Sequence, residues 1–213
     1  MDKWAVLGAS SFSGRAFCAH LRGHDQKVLE ISRPRFELNS NVPSIVSAMR
    51  EFAPDYFVNF AALNMVGESW RHSQDYYRTN VVALSKLYEA LANRINIRRF
   101  VQVSTPEVYG LLAGIGPMRE HSRYAPSTPY AVSRAALDMH LMAMHRVYGL
   151  PVSFIRTVNV YGEQQQPYRI IPKATLKILR EEKLTLDGGG LSTRSFIHIS
   201  DVAEAIRVIA TKG

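Results

Sequence analysis

Short apolar runs alternate with amphipathic segments along almost the whole chain, and this alternation is the strongest constraint on its fold. Lys3–Leu7 is a nearly continuous apolar run ending at Gly8, and Val28–Ile31, Tyr56–Ala61, Phe100–Val103 and Val152–Ile155 read the same way. Continuous apolarity over a few residues marks a strand covered on both faces. Between these runs, residues 13–22, Val42–Phe52, Asp75–Arg94 and Pro129–Tyr148 carry helical spacing. Ala53-Pro54 closes the second of these helices, and Gly149 closes the fourth as a C′ residue. Further on, Ile171–Glu182 reads as a helix, Leu184–Leu186 and Ser195–His198 as short strands, and Asp201–Thr211 as a last helix with Ser200 as its N-cap. Strand–helix alternation predicts an α/β chain with a doubly wound parallel sheet. One connection is too short for that pattern. Only the four residues Ser32–Arg35 separate Ile31 from Phe36, whereas a parallel crossover needs about a dozen. Phe36-Glu37-Leu38 is therefore a vestigial strand or an extended loop.

A length of 213 residues fits one domain with at most a small appendage. Hydrophobic residues at 46% and charged residues at 21% exclude a disordered chain. No window reaches the roughly 18 consecutive apolar residues of a membrane helix. The N-terminus runs straight into Trp4-Ala5-Val6-Leu7 and does not read as a secretory signal. Cys18 is the single cysteine, which excludes an internal disulfide and fits a reducing, cytoplasmic setting. No Cys/His cluster has zinc spacing, so no metal is expected. Lys and Arg total 26 against 18 Asp and Glu, a net charge of +8. A basic balance suits nucleic acid, a membrane surface or anionic small molecules. The basic residues are scattered, with no run longer than Arg98-Arg99. Phosphate-bearing ligands are the expected partners, with neither nucleic acid nor membrane.

The first strand leads into Gly8-Ala9-Ser10-Ser11-Phe12-Ser13-Gly14 and then a helix. Strand, glycine turn and helix N-terminus make an anion site, because backbone N–H groups and the helix dipole face a pyrophosphate. Gly8 permits the tight turn and Gly14 the close packing of helix on strand. Ser11 stands where a third glycine would let the backbone approach the phosphates. A carboxylate at the end of the second strand would bond the adenosine ribose hydroxyls. This chain has Ser32-Arg33 there, which suits a 2′-phosphate and favours NADP over NAD.

The fourth strand ends in Ser104-Thr105-Pro106-Glu107-Val108-Tyr109-Gly110, polar residues at the edge where open α/β sheets bind ligands. Further along comes Pro129-Tyr130-Ala131-Val132-Ser133-Arg134, with Pro129 suited to a first helical turn. Tyr130 and Arg134 are four apart and share a helix face. A cation beside a phenol favours the phenolate, which makes Tyr130 a candidate general base.

These segments resemble the extended short-chain dehydrogenase/reductase family, in its nucleotide-sugar epimerase/dehydratase branch, from about Lys3 to Ile209. GASSFSG resembles the family's glycine-rich loop, NFAAL the strand before the nicotinamide, and TNVVAL a long interface helix. STPEVYG resembles the Thr-containing catalytic segment and YAVSR the Tyr-x-x-x-Lys pair. NVYGEQQQPYRIIP and RSFIHISDVA resemble nucleotide-sugar segments. The resemblance implies a Rossmann-type domain over 1–162. Residues 163–213 would mix the last Rossmann elements with the start of a small, truncated substrate-binding part. Relatives continue for roughly another hundred residues.

What the resemblance implies for chemistry is a 4,6-dehydration. Tyr130 would take the proton of the sugar hydroxyl at C4, Thr105 would bond the same oxygen, and Glu107 would remove the C5 proton before water leaves C6. Arg134 would replace the lysine that holds the nicotinamide ribose. Gly8, Ser11, Phe12, Ser13, Gly14, Ser32, Arg33, Asn39, Ala61, Ala62 and Thr79 would surround the dinucleotide with Tyr130 and Arg134. Asn159 and Arg194 would meet the nucleotide-sugar phosphates, for which Arg geometry is well suited. There are three departures. Arg134 is bulkier and planar compared with lysine. Pro106 stands where glucose-type dehydratases carry a proton-donating Asp. Ser11 replaces a glycine. A 4-epimerase or 4-ketosugar reductase using the same Tyr130 is the alternative, and a non-catalytic cofactor-binding relative is the second. Val81, Leu84, Leu87 and Leu91 mark a stripe on one long helix, and Leu137, Leu141 and Met144 on the other. Packing on the sheet explains both stripes, while the family pairs these helices into a four-helix bundle, which implies a homodimer.

Overall fold

The structure is a computed structural model and describes residues 1–92, 95–110, 117–191 and 193–213. The central sheet contains β1 (Lys3–Leu7), β2 (Lys27–Ile31), β3 (Tyr56–Asn59), β4 (Arg99–Val103) and β5 (Val152–Ile155). All neighbours are parallel, in the order β2-β1-β3-β4-β5. The sheet is the parallel, helix-covered one that the alternation predicted, and it is of the Rossmann type that the resemblance implied.

Side chains alternate across this sheet, so it carries two cores. Trp4, Val6, Tyr56, Val58 and Val101 face one side with Phe17, Leu21, Val202 and Ile206. These last residues lie on α1 (Phe12–Gly23) and α8 (Ile199–Lys212). Ala5, Leu7, Phe57 and Phe100 face the other side, covered by α2 (Val42–Phe52), α5 (Leu84–Ala92) and α6 (Pro129–Tyr148). The stripes Leu84/Leu87/Leu91 and Leu137/Leu141/Met144 are buried in this second core. They pack on the sheet, because a helix face that covers parallel strands is the apolar one. The outward side instead shows Val132 and Met139 on α6 and Val82 just ahead of α5.

Helix ends follow local chemistry. Ser11, Asn41 and Thr128 cap α1, α2 and α6 by accepting from the N–H three residues on. Gly149 ends α6 in the left-handed conformation, as its position predicted.

Several boundaries differ from the sequence reading. β3 stops at Asn59 and does not reach Ala61, because the Asn59 side chain accepts from the Ala61 N–H and turns the chain away. The segment expected as one helix from Asp75 is divided among α4 (Ser73–Tyr77), a π-helical stretch Arg78–Ala83 and α5, and a short α3 (Val66–Ser69) precedes it. Its expected end, Arg94, lies outside the described residues. Phe36–Leu38 forms no strand. Phe36 is nonetheless buried in the second core, so its apolarity reflects a loop pinned to that core. Leu184–Leu186 forms no strand either. Ser195–His198 contains β7 (Phe196–His198), but it pairs with an unforeseen β6 (Asn159–Tyr161) in a separate two-stranded sheet. The cap of α8 is His198 in place of Ser200. Helix α7 (Ile170–Leu179) buries none of its residues, and Tyr168, Ile178 and Leu179 beside or on it are exposed. Among the described residues, no helix is long and apolar enough to cross a membrane.

Cys18 is enclosed in the α1 layer. Burial first, and the Glu30 carboxylate second, push its thiol up to about 12. Thiol reagents attack the thiolate. The folded protein at pH 8 is therefore expected to resist an aromatic disulfide reagent and to react fully once denatured. Rapid stoichiometric labelling of the native protein would contradict this packing.

Candidate active site at the carboxyl ends of the strands

The strand order reverses between β1 and β3, and the loops leaving these two strands meet there. Gly8 has φ +79°, and a Cβ on it would lie 2.7 Å from the Ala61 backbone nitrogen. A Cβ on Gly14 would lie 2.3 Å from the Gly8 carbonyl oxygen. Both positions therefore exclude any side chain. The Gly8 N–H donates to the Ile31 carbonyl at 2.8 Å, which ties this turn to the end of β2 beside Ser32. Ser11 has an extended backbone and its hydroxyl accepts from the Gly14 N–H at 3.0 Å. No positive φ is required of it, so serine fits where a glycine was expected and acts as the helix cap. Phe12 and Ser13 open the first turn of α1. The result is a helix N-terminus behind a turn without side chains, the form of an anion cradle. Open α/β sheets hold their ligands at such a reversal.

A polar layer lies directly beneath the strand ends. Asn59 donates to Gln102 Oε1 at 2.9 Å, and the Tyr88 hydroxyl donates to the same oxygen at 2.8 Å. Gln102 donates in turn to the Val103 carbonyl at 3.2 Å. Arg134, 3% exposed, donates to that carbonyl through Nη2. Its Nε and Nη1 are buried with no partner among the described residues. Burial pushes the Tyr88 phenol well above its ordinary range, with the Arg134 charge opposing.

Tyr130 is nearly buried in the first turn of α6. Its ring meets that of Tyr76 edge-on, with centroids 6.4 Å apart. Asn80 fixes this turn relative to the β3 loop. It accepts from the Leu63 N–H at 2.8 Å and donates to the Leu63 carbonyl and to Ser133 Oγ, both at 3.0 Å. Ser133 then donates to the Tyr130 carbonyl at 2.7 Å. Asn80 lies in the π-helical stretch, a local form frequent at functional sites.

Thr105 caps a short 3₁₀ turn, Pro106–Tyr109, and accepts from the Glu107 N–H at 3.3 Å. That turn carries Glu107, which is exposed, at the carboxyl end of β4. Desolvation pushes the Glu107 carboxyl above its ordinary range, and the Arg194 cation opposes it. Arg194 and Asn159, both exposed, come from neighbouring chain segments at the β6–β7 pair. Asn159 Nδ2 donates to the Ser195 carbonyl at 3.2 Å. Asn39 donates to Thr79 Oγ1 at 3.0 Å, joining two residues expected near the adenine side. Ala62 is half-buried beyond Ala61, Ser32 is half-buried, and Arg33 is exposed.

The sequence reading missed one group altogether. Asp138 is fully buried and accepts from Ser104 Oγ at 2.7 Å, the Tyr124 hydroxyl at 3.2 Å and Arg156 at 3.0 Å. The Arg156 guanidinium lies over the rings of Phe154, Tyr109 and Tyr124 at 5.2–5.5 Å. Burial works against the Arg156 charge, but Asp138 and Tyr124 outweigh it and hold its pKa above the ordinary value. The same burial, with Asp138 beside it, pushes the Tyr124 phenol up. The signal was present in the sequence. Tyr130, Arg134 and Asp138 follow one four-residue step along α6 and so share a face. Gln102 and Asn59 were also visible as single polar residues near the ends of apolar runs.

The model of the NAD dependent epimerase/dehydratase family matches residues 4–213. A dTDP-glucose 4,6-dehydratase of Xanthomonas campestris pv. campestris is 32% identical over 241 aligned residues, covering 100% of this chain and 69% of that one. The solved dTDP-glucose 4,6-dehydratase of Bacillus anthracis, in complex with NAD, superposes with a TM-score of 0.87. It is 30% identical and covers 100% of this chain and 73% of that one. A UDP-glucose 4-epimerase of Thermotoga maritima superposes with a TM-score of 0.90 at 23% identity, covering 99% of this chain and 74% of that one, a likeness of fold alone.

Removing one member of a buried ion pair leaves an uncompensated charge and costs about 3–5 kcal/mol. Asp138→Asn is expected to lower the unfolding free energy by roughly that amount in urea titration. An unchanged midpoint would show that Asp138 does not carry the Arg156 charge.

Proposed function

The chain belongs to the NAD dependent epimerase/dehydratase family, and we propose that within it the protein is a nucleotide-sugar 4,6-dehydratase. The observation that carries this reading is Glu107, held on the 3₁₀ turn next to Thr105 at the carboxyl end of β4. A simple epimerisation at C4 needs no such base. The dehydratases of Xanthomonas campestris and Bacillus anthracis support the same reading.

The residues present fit a dinucleotide. Gly8 and Gly14 leave a cradle that any Cβ would fill, and Arg134 keeps two buried nitrogens without acceptors that ribose hydroxyls would satisfy. Phe12, Ser13, Ala61, Ala62, Asn39 and Thr79 would complete its surroundings. When bound, the cofactor would supply reversible oxidation of the sugar. Tyr130 takes the proton of the C4 hydroxyl, and Thr105 donates to the same oxygen. The 4-keto group then acidifies the C5–H bond, so a carboxylate base suffices. Glu107 removes that proton, and the C6 hydroxyl leaves as water. Pro106 has no proton to give, so the leaving oxygen takes its proton from Glu107 or from water. Asn159 and Arg194 would bind the diphosphate of the nucleotide sugar.

Residues 1–162 would carry the cofactor, and residues 163–213 would begin the sugar-binding part together with α8. Ser32 and Arg33, in place of a carboxylate, favour NADP over NAD, although the Bacillus anthracis relative is a complex with NAD. Val82, Val132 and Met139, exposed on the outward side of the two long helical segments, support a homodimer through a four-helix bundle.

Mass spectrometry of products from a panel of nucleotide sugars tests the reaction, since dehydration alone removes one water. Glu107→Gln is expected to abolish that loss while cofactor binding persists. Full water loss in this variant would remove Glu107 from the mechanism. A carboxyl pushed upward by desolvation must be deprotonated to act as a base, so the acid limb of activity is expected above the ordinary carboxylate range. Arg194 lowers this pKa, so Arg194→Gln should move the limb to higher pH. A shift to lower pH, or none, would separate Arg194 from Glu107. Arg33→Ala should weaken NADP binding more than NAD binding in fluorescence titrations, and equal losses would count against a 2′-phosphate contact.

A further inference from the structure

A second cluster of chemically capable side chains lies on the α1–α8 layer, away from the strand ends where the candidate site sits. His20 and His24 are four residues apart at the end of α1, so both imidazoles fall on one side of the helix. Glu204 approaches from α8. His20 Nε2 lies 3.1 Å from Glu204 Oε2. One nitrogen of each imidazole and one Glu204 oxygen lie within 4.8 Å of one another. His20 and Glu204 are half-buried, and His24 is exposed.

We propose that His20, His24 and Glu204 form a site for a borderline divalent cation of the zinc type that staples α1 to α8. Two imidazoles and a carboxylate are a donor set suited to such an ion, with water as the fourth ligand. Zinc holds these donors at about 2.0–2.1 Å, which in tetrahedral geometry places ligand atoms about 3.4 Å apart. The His20–Glu204 distance is already close to that value. The widest separation in the cluster, no more than 4.8 Å, needs to close by at most about 1.4 Å, which the exposed His24 ring can do by side-chain rotation.

The surrounding bonds orient the ligands in the way metal sites require. His24 Nδ1 lies 2.9 Å from the His20 carbonyl. The imidazole donates there, which places its proton on Nδ1 and leaves Nε2 with the free lone pair. Metal-binding histidines commonly donate their other nitrogen to a backbone carbonyl in this manner. Arg207 donates to Glu204 Oε2 through Nε at 2.8 Å and to Oε1 through Nη2 at 2.6 Å, and so fixes the carboxylate plane. The two Arg207 bonds favour the carboxylate anion, the form a metal ligand needs. The Arg207 cation is the opposing charge, and it limits the site to modest affinity.

The sequence shows only a His-x-x-x-His pair here, because the third ligand comes from 184 residues further along. The bound ion would join the helix that opens at the anion cradle to the last described helix, and its effect is on stability and not on the reaction.

The test uses the chain without a histidine tag and ZnCl2 as the probe, by calorimetric titration and thermal unfolding. One zinc per chain and a rise in Tm are expected. His24→Gln, a substitution at an exposed position, should weaken zinc binding at least about tenfold and remove the Tm rise while leaving the zinc-free Tm in place. Glu204→Gln should weaken binding in the same direction. Absence of saturable binding, or equal zinc affinity in wild type and His24→Gln, overturns the proposal.

Discussion

The backbone contact between Gly8 and the Ala61 segment governs the geometry of everything at the carboxyl edge of the sheet. A side chain at Gly8 would lie 2.7 Å from the Ala61 nitrogen, and one at Gly14 would overlap the Gly8 carbonyl. The two loops can approach this closely only because neither glycine carries a Cβ. That approach brings the N-terminus of α1, with its unpaired N–H groups and positive dipole end, to the strand reversal. It also sets the position of the Ala61–Leu63 segment, which Asn80 and Ser133 then link to the turn of α6 that holds Tyr130.

Beneath this edge the protein trades apolar packing for buried polar groups, each of which makes at least one hydrogen bond. Asn59, Tyr88 and Gln102 bond one another where the two adjoining cores are otherwise apolar. Buried polar groups in low dielectric are costly if unpaired and rigidifying if paired. The same logic applies to Asp138 and Arg156, whose charges face each other inside a sleeve of three aromatic rings. Through Ser104 this pair joins the segment carrying Thr105 to α6. Two catalytic candidates from distant parts of the chain are thereby held on one rigid frame. Among the described residues Arg134 Nε and Nη1, Asp138 Oδ1 and Arg156 Nε are left without partners, and in the proposed reading a bound dinucleotide would supply acceptors to Arg134.

Much of this was legible in the chain before folding. Strands β1 and β5 and helices α2 and α6 have the bounds that periodicity and end signals predicted, because each combines a clear apolar pattern with a local stop such as Gly149. The glycine loop, the Ser-Thr strand end and the Tyr130/Arg134 step were equally local. The failures share a cause. The helix expected from Asp75 is interrupted by a π-helical stretch containing Asn80, whose side chain, like that of Tyr76 before it, bonds the distant Leu63–Met65 backbone. Strand β6 was missed because three residues pair only with a partner far along the chain. Phe36 looked like part of a strand and proved to be a loop residue anchored in the core.

The sequence by itself determined the class of fold, the order of its elements, the glycine turn and the residue types at the strand ends. These depend on periodicity and on conformations that one residue or its near neighbours impose. Only the tertiary structure decided that Gly8 touches Ala61, that Asp138 neutralises Arg156, that the Arg194 charge acts on Glu107, and that Glu204 meets two histidines of another helix. Each of these rests on a distance between residues remote in the chain. Such distances are set by the twist and stacking of the layers, which no local pattern encodes.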